Sequence, residues 1–212
     1  MSNVFAEITV SLDGFVAGPN PSMKDPLGVG GEDLHQWAFA SQAWQEAHGH
    51  EGGETNADSE VITESIARSG ADVMGRLMFS GGSGPWESDG NANGWWGDEP
   101  PFHQPVFVLT HHEREDLVLG ETTFSFVTDG IESAVSRARE AAGDKDVHIA
   151  GGASAIQQTL GAGLLDELLL HVVPQMLGGG TRLFESGSAA QLELARTVPS
   201  ETVTHLWYRV AR

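Results

Sequence analysis

Val147-His148-Ile149-Ala150-Gly151-Gly152-Ala153-Ser154 is the stretch on which the fold of this chain turns. Residues 147–150 are a short run of β-formers, and residues 153–160 carry apolar side chains at helical spacing. Only two glycines separate the strand from the helix. Such a turn lets backbone approach a ligand closely, and the helix points unsatisfied N–H groups and its positive dipole end at whatever sits there. It suits a phosphate or pyrophosphate. It equally joins a strand to a helix with no ligand, and without a complete G-x-G-x-x-G both readings stay open.

Two further strand ends bear on the choice. Val73-Met74-Gly75-Arg76 is a short strand opening onto an arginine, and Leu109-Thr110-His111-His112-Glu113-Arg114 ends a strand in cationic or titratable groups. Ligands of parallel sheets gather at the carboxyl ends of the strands, so all three elements are expected on one edge. Arg76, Arg114 and the histidines beside a Gly-Gly turn suit a ribose 2′-phosphate and favour NADP over NAD. The alternative is a set of surface cations at unrelated loop ends.

Outward from these segments, residues 5–10 alternate as a strand and residues 34–48 read as one helix, with Glu32 and Asp33 in its first turn. Residues 58–69 read as a second helix, with Ile62 and Ile66 on one face and Gly70 as its stop. Asp129-Gly130-Ile131-Glu132 resembles a capping box opening a helix that stops at Gly143. Residues 168–173 are a nearly continuous apolar run, and residues 181–184 and 202–210 are the final strands. Strands alternating with helices indicate an α/β sheet, mostly parallel, with antiparallel strands at its C-terminal end. Residues 80–104 are rich in Gly, Pro, Asn and Trp and lack periodicity, and an unstructured stretch of that length is usually functional. We expect this loop, with Trp86, Trp95 and Trp96, to shape the substrate end of a site and not its cofactor end; the alternatives are a flexible surface excursion or a subunit contact.

The bulk numbers narrow the classes of function. The chain has 212 residues, enough for one substantial core, and is read as a single domain over 1–212. It has no cysteine, which removes disulfides, thiolate catalysis and any zinc site built on sulfur. The net charge of −19 speaks against nucleic acid and anionic membrane as partners. No segment reads as a membrane span or a signal peptide, so a cytoplasmic location is expected. With eleven Lys and Arg in all, a phosphate must be met by backbone amides and a few arginines.

His48-Gly49-His50-Glu51 and His111-His112 raise a metal reading, but neighbouring histidines on a strand end point to opposite sides, and no metal ligand is assigned. Asp33 is a candidate group for orienting or protonating a substrate, with a simple dipole-complementing acid as the alternative. Trp37 is a candidate substrate contact, or a core residue.

Ser11-Leu12-Asp13-Gly14-Phe15-Val16-Ala17-Gly18, Val73-Met74-Gly75-Arg76, Ile149-Ala150-Gly151-Gly152-Ala153 and the segment from Leu164-Leu165-Asp166-Glu167 to Arg182-Leu183-Phe184 occur in an order and spacing that resemble a known family. They look like the reductase domain of the bifunctional deaminase-reductase of riboflavin biosynthesis, in stand-alone form, within the dihydrofolate-reductase-like superfamily. The resemblance implies a three-layer α/β fold with helices on both faces of the sheet. It also implies bound NADPH and a homodimer. In such a fold Gly151, Gly152, Ala153 and Ser154 cradle the pyrophosphate, and Gly75 and Arg76 face the adenosine phosphate. Thr110, His111, His112 and Arg114 flank the adenine ribose, and Val16, Ala17 and Gly18 lie beside the nicotinamide.

The expected chemistry is hydride transfer from NADPH to a C=N or C=O bond of a small heterocyclic or sugar-linked substrate. The rivals are a non-catalytic module for a nucleotide or pterin-like ligand and a histidine-based metal enzyme. The zinc deaminase half of the bifunctional relatives is excluded by the missing cysteines.

Overall fold

Val4–Ser11 (β1) buries Val4, Phe5 and Ala6 almost completely, as an apolar strand does when both faces are covered. In chain order the computed structural model continues through β2 (Phe15–Ala17), α1 (Gln36–Phe39), α2 (Gln42–Ala47) and α3 (Ala57–Arg68). Next come β3 (Ser69–Gly75), α4 (Arg76–Ser80), β4 (Pro105–Leu109), β5 (Leu117–Leu119), β6 (Thr122–Val127) and α5 (Ile131–Ala142). The chain ends with β7 (Asp146–Gly151), α6 (Ala153–Gly161), β8 (Glu167–Val173), β9 (Thr181–Arg182), β10 (Leu192–Pro199) and β11 (Thr204–Val210). The structure describes residues 2–22, 24–185 and 189–211.

The chain divides into two compact units, the first comprising Met1–Ala6 and Ser69–Leu165, the second Glu7–Arg68 and Asp166–Arg212. In the first unit the strands run in the order β1-β7-β3-β4-β6-β5. Neighbours are parallel from β1 to β6, and β5 closes the edge as an antiparallel hairpin with β6. Helix α5 lays Ala134, Val135 and Ala138 on this sheet, where small side chains allow close approach. A second core forms around Met74, Phe79, Val106, Val108 and Phe124, all at 0% exposure.

In the second unit the order is β10-β11-β8-β1, with β10–β11 and β11–β8 antiparallel. The register of β8 and β11 sets His171 directly opposite His205. Strands β2 and β9 form a separate two-stranded sheet. Leu34, Trp37, Ala38, Val173 and Val203 make one apolar cluster of this unit.

Several local expectations are corrected. The single helix over 34–48 is a 3-10 turn (Glu32–His35) followed by α1 and α2, broken at Ser41. The Ser41 hydroxyl donates to the Ala38 carbonyl and accepts from the Trp44 amide, so it caps a new helix instead of continuing the old one. Gly70 is no helix stop but lies within β3, where a Cβ would come within 2.7 Å of Lys145 Cβ. The capping box does not form: Gly130, at φ 98°, takes the cap position and no side chain caps α5. Helix α3 buries Asp58, Val61 and Ser65, while Ile66 is exposed. Strands β5 and β10 were not foreseen, and β9 pairs with β2 away from the large sheet. Among the described residues no helix is long and apolar enough to cross a membrane.

Candidate functional site

The first unit brings three expected strand ends onto one edge of its parallel sheet. Gly75 pairs in register with Leu109, and Met74 with Gly151. A Cβ built on Gly75 would lie 3.8 Å from the Gly151 carbonyl and 3.9 Å from the Gly152 amide. Gly151 has φ 118°, a conformation that favours glycine, and the Gly151–Gly152 peptide is cis. Gly152 borders open space, since a Cβ there would meet no atom within 4 Å. Helix α6 starts at the next residue, buried Ala153, and no side chain caps it. Ser154 is exposed, and its hydroxyl accepts from Gln158. These residues make an uncapped, unobstructed helix start able to receive an anion.

Thr110 is buried and closes the end of β4: its amide donates to Val127 and its hydroxyl accepts from the His112 amide at 3.2 Å. His111 is exposed beside it. The two arginines of this edge are not held out to solvent. Arg76 is 6% exposed, and its guanidinium pairs with Asp89, donates from Nε to Ser80 Oγ at 2.9 Å and stacks 3.1 Å from the Trp86 ring centroid. Its Nη1 is buried with no partner among the described residues. Burial pushes the Asp89 carboxyl up, but hydrogen bonds from Arg76 and Ser80 outweigh it and hold the group below the usual carboxylate value. Arg114 donates to the Ala92 carbonyl and to Asn93 Oδ1.

Every partner in that set except Ser80 belongs to residues 81–104, so the loop packs against the strand ends that carry Arg76 and Arg114. Trp86 donates its indole N–H to the His112 carbonyl at 2.9 Å, and Trp95 donates to the Met78 carbonyl at 2.8 Å. Trp86, Trp96 and Phe102 pack against the Met74–Phe79–Phe124 core. Trp86 ties the loop to the end of β4, Trp95 ties it to α4 and Trp96 seats it on the core, so each ring buries apolar surface there.

In the second unit Val16 and Gly18 are buried and Ala17 is half-buried. Gly18 donates its amide to Leu27 at 2.7 Å, and a Cβ there would strike the Val29 carbonyl. Close packing of two loops thus explains this glycine. Asp13 accepts from the amides of Leu177 and Gly178 and from Ser11 Oγ, and the Ser11 bond foremost holds it below the usual carboxylate value. Asp33 stands exposed on its 3-10 turn. Trp37 is 6% exposed and donates to Thr9 Oγ1 at 3.3 Å, with its ring 4.5 Å from that of His171.

Trp37 leads to a cluster that was not anticipated. His171 Nε2 lies 2.8 Å from Glu7 Oε1, His171 Nδ1 lies 2.6 Å from His205 Nδ1, and His205 Nε2 lies 2.9 Å from Asp58 Oδ1. Both rings are buried, at 2% and 0% exposure. A signal existed: His171 and His205 each interrupt an apolar strand at positions that alternation places inward. Their partners, 164 and 147 residues away, carry no local mark.

The model of the RibD C-terminal domain family matches residues 2–206. The chain belongs to this family. Among solved structures, a protein from Shewanella sp. PV-4 assigned to riboflavin biosynthesis is 21% identical, with full coverage of both chains and a TM-score of 0.65. The diaminohydroxyphosphoribosylaminopyrimidine deaminase/5-amino-6-(5-phosphoribosylamino)uracil reductase of Thermotoga maritima is 12% identical, with a TM-score of 0.57. There 99% of this chain covers 57% of the other. Dihydrofolate reductase from Enterococcus faecalis, complexed with NADP(H), is 14% identical with a TM-score of 0.54 over 99% of this chain and 97% of that one. These likenesses establish a dihydrofolate-reductase-like α/β fold. No curated protein matches the chain by sequence. Membership in the RibD C-terminal family makes this a reductase-type domain similar to that of the riboflavin pathway.

Proposed function

We propose that this chain is an NADPH-dependent reductase that transfers a hydride to a C=N or C=O bond of a small heterocyclic or sugar-linked substrate, similar to 5-amino-6-(5-phosphoribosylamino)uracil reductase. The observation that carries this is the start of α6: two glycines, open space at Gly152 and a helix N-terminus without a side-chain cap. A cradle that any side chain on Gly152 would fill, backed by a helix dipole, fits a dinucleotide pyrophosphate. The bound nicotinamide supplies the hydride; the chain supplies position and exclusion of water.

In this reading the amides of Ala153 and Ser154 hold the pyrophosphate, with Gly75 and Gly151 leaving room for it. Thr110, His111, His112 and Arg114 border the adenosine. Arg76 meets a 2′-phosphate only when Asp89 gives way, since that carboxylate already occupies the guanidinium. Val16, Ala17 and Gly18 serve the nicotinamide end, as the family resemblance implies. Asp33 offers an exposed carboxylate to anchor a polar substrate, and Trp37 acts from the core behind it. A homodimer acting on a small molecule is the form the resemblance suggests, and a cytoplasmic location is the one the sequence suggests.

The test is oxidation of NADPH and NADH, followed by the loss of reduced-nicotinamide absorbance with pyrimidine, pterin and sugar-linked carbonyl acceptors. Turnover with at least one acceptor is expected. Tight NADPH binding with no turnover on any acceptor would instead identify a non-catalytic nucleotide-binding module.

A further inference from the structure

The outer strands of the second unit separate charge from apolar surface, and they do so against the usual pattern. Register aligns Leu168–Tyr208–Leu194 and Leu170–Leu206–Thr197 as rows across β8, β11 and β10, all on one face. Every Glu, Arg and His of the three strands falls on the other face. That other face is the one α3 covers: Val61 packs on Leu169 and Trp207, and Arg196 donates to Glu64 at 2.7 Å. An antiparallel sheet with one solvated face normally turns its polar residues outward. Here the side away from α3 carries no charge.

This uncharged face opens toward the edge of the sheet. Along the first row exposure rises from 0% at Leu168, through half-buried Tyr208, to 60% at Leu194. Leu170 and Leu206 are half-buried in the next row, and β10 is the terminal strand. Three strands about 5 Å apart, each about 20 Å long, cover roughly 300 Å². That is the size of a functional apolar patch and of the charge-poor centre of an interface, to which the edge of β10 adds a polar rim. The chain's own charge selects the partner. At −19, two copies repel one another through their acidic surfaces, and a face without charge is where they meet without that repulsion. A basic partner finds no acid on this face to bind. Carrying neither sign of charge, the face meets its own copy without mismatch, as an interface about a twofold axis requires.

We propose that the β8–β11–β10 face opposite α3 is the surface through which two copies of this chain associate about a twofold axis. Leu194 and Tyr208 bury against the second copy, with Leu206 and Leu170 beside them. This gives the homodimer suggested above a definite surface, and it stands independently of the hydride-transfer reading.

The test is the mass of the whole chain in solution, without cofactor, by sedimentation equilibrium at micromolar concentration. Two copies are expected. Leu194→Glu places an acid at the exposed end of the first row, where the side chain has room, and is expected to weaken association about a hundredfold. Thr197→Glu, exposed on the next row, is expected to act in the same way and stands in should Leu194→Glu fail to fold. Val118→Glu adds the same charge on β5 of the first unit, where Val118 is 64% exposed, and is expected to leave association unchanged. Raising the salt concentration screens the repulsion between the two acidic chains and is expected to tighten the wild-type dimer. A wild-type chain that stays single overturns the proposal. So does a dimer that survives both Leu194→Glu and Thr197→Glu, that Val118→Glu dissociates, or that salt loosens. None of these outcomes bears on the reductase reading, which cofactor binding and turnover test separately.

Discussion

Each unit buries charged side chains, and the two do so by different means. On the edge of the first unit, Arg76 and Asp89 neutralise one another under a tryptophan supplied by the 81–104 loop. In the second, Glu7, His171, His205 and Asp58 are linked in one chain of three hydrogen bonds. The first arrangement is closed, since each charge already has its counter-ion. The second is a continuous buried hydrogen-bonded chain. The contrast teaches that a cation at a strand end is not by itself a ligand site, and that buried polar groups far apart in sequence can satisfy one another.

The largest expected effect comes from breaking the second arrangement. Asp58→Ala leaves the His205 Nε2–H buried without an acceptor and should cost about 3 kcal/mol in denaturant unfolding. Asp58→Asn, which retains an acceptor oxygen, should cost clearly less. A similar loss in both would mean the bond contributes little. The counterpart in the first unit is Asp89→Ala. It should destabilise the chain, yet free Arg76 and raise the preference for NADPH over NADH by about one to two decades, the worth of one charge-assisted contact. An unchanged preference would show that Arg76 does not meet the 2′-phosphate.

Replacing residues 84–100 with a short Gly-Ser bridge sharpens the same comparison. The loop carries Trp86, Asp89, Ala92 and Asn93, so its loss should alter cofactor affinity more than substrate KM. The reverse pattern would place the loop at the substrate end, as its sequence alone suggested.

A smaller effect concerns pH. His35, His48 and His205 are all pushed below the ordinary imidazole value of 6.5, chiefly by burial. A folded value below the unfolded one means the unfolded chain binds more protons, so stability is full above the unfolded value and falls as pH drops below it. Urea midpoints should therefore decline on going from pH 7 to pH 5, before carboxylates titrate. The smallest effect is at Asp13, whose lowered value contributes stability above its unfolded value and loses it as pH falls through the folded one. Asp13→Asn should flatten only that acid limb.

Much of the fold was legible because its signals are local. The Gly151-Gly152 turn into α6, the Gly75 strand end and the buried stripe of α5 all follow from spacing and from glycine. Residues 34–48 misled because Ser41 preserves the apolar spacing while its hydroxyl caps a new helix. Strand β10, with no buried position, lacks the apolar alternation by which strands are read. At the site, the three converging strand ends were foreseeable, whereas the pairing of Arg76 depended on Asp89, in a loop without periodicity. The histidine chain was the least legible, because its geometry exists only once β1, α3, β8 and β11 are assembled.

Amide 1H–15N spectra recorded during an NADPH titration test the central claim most directly. The account predicts saturable binding, with the largest shifts at Gly75, Gly151, Gly152, Ala153 and Ser154. Saturable binding that leaves those five amides unmoved, or no binding at all, would contradict it.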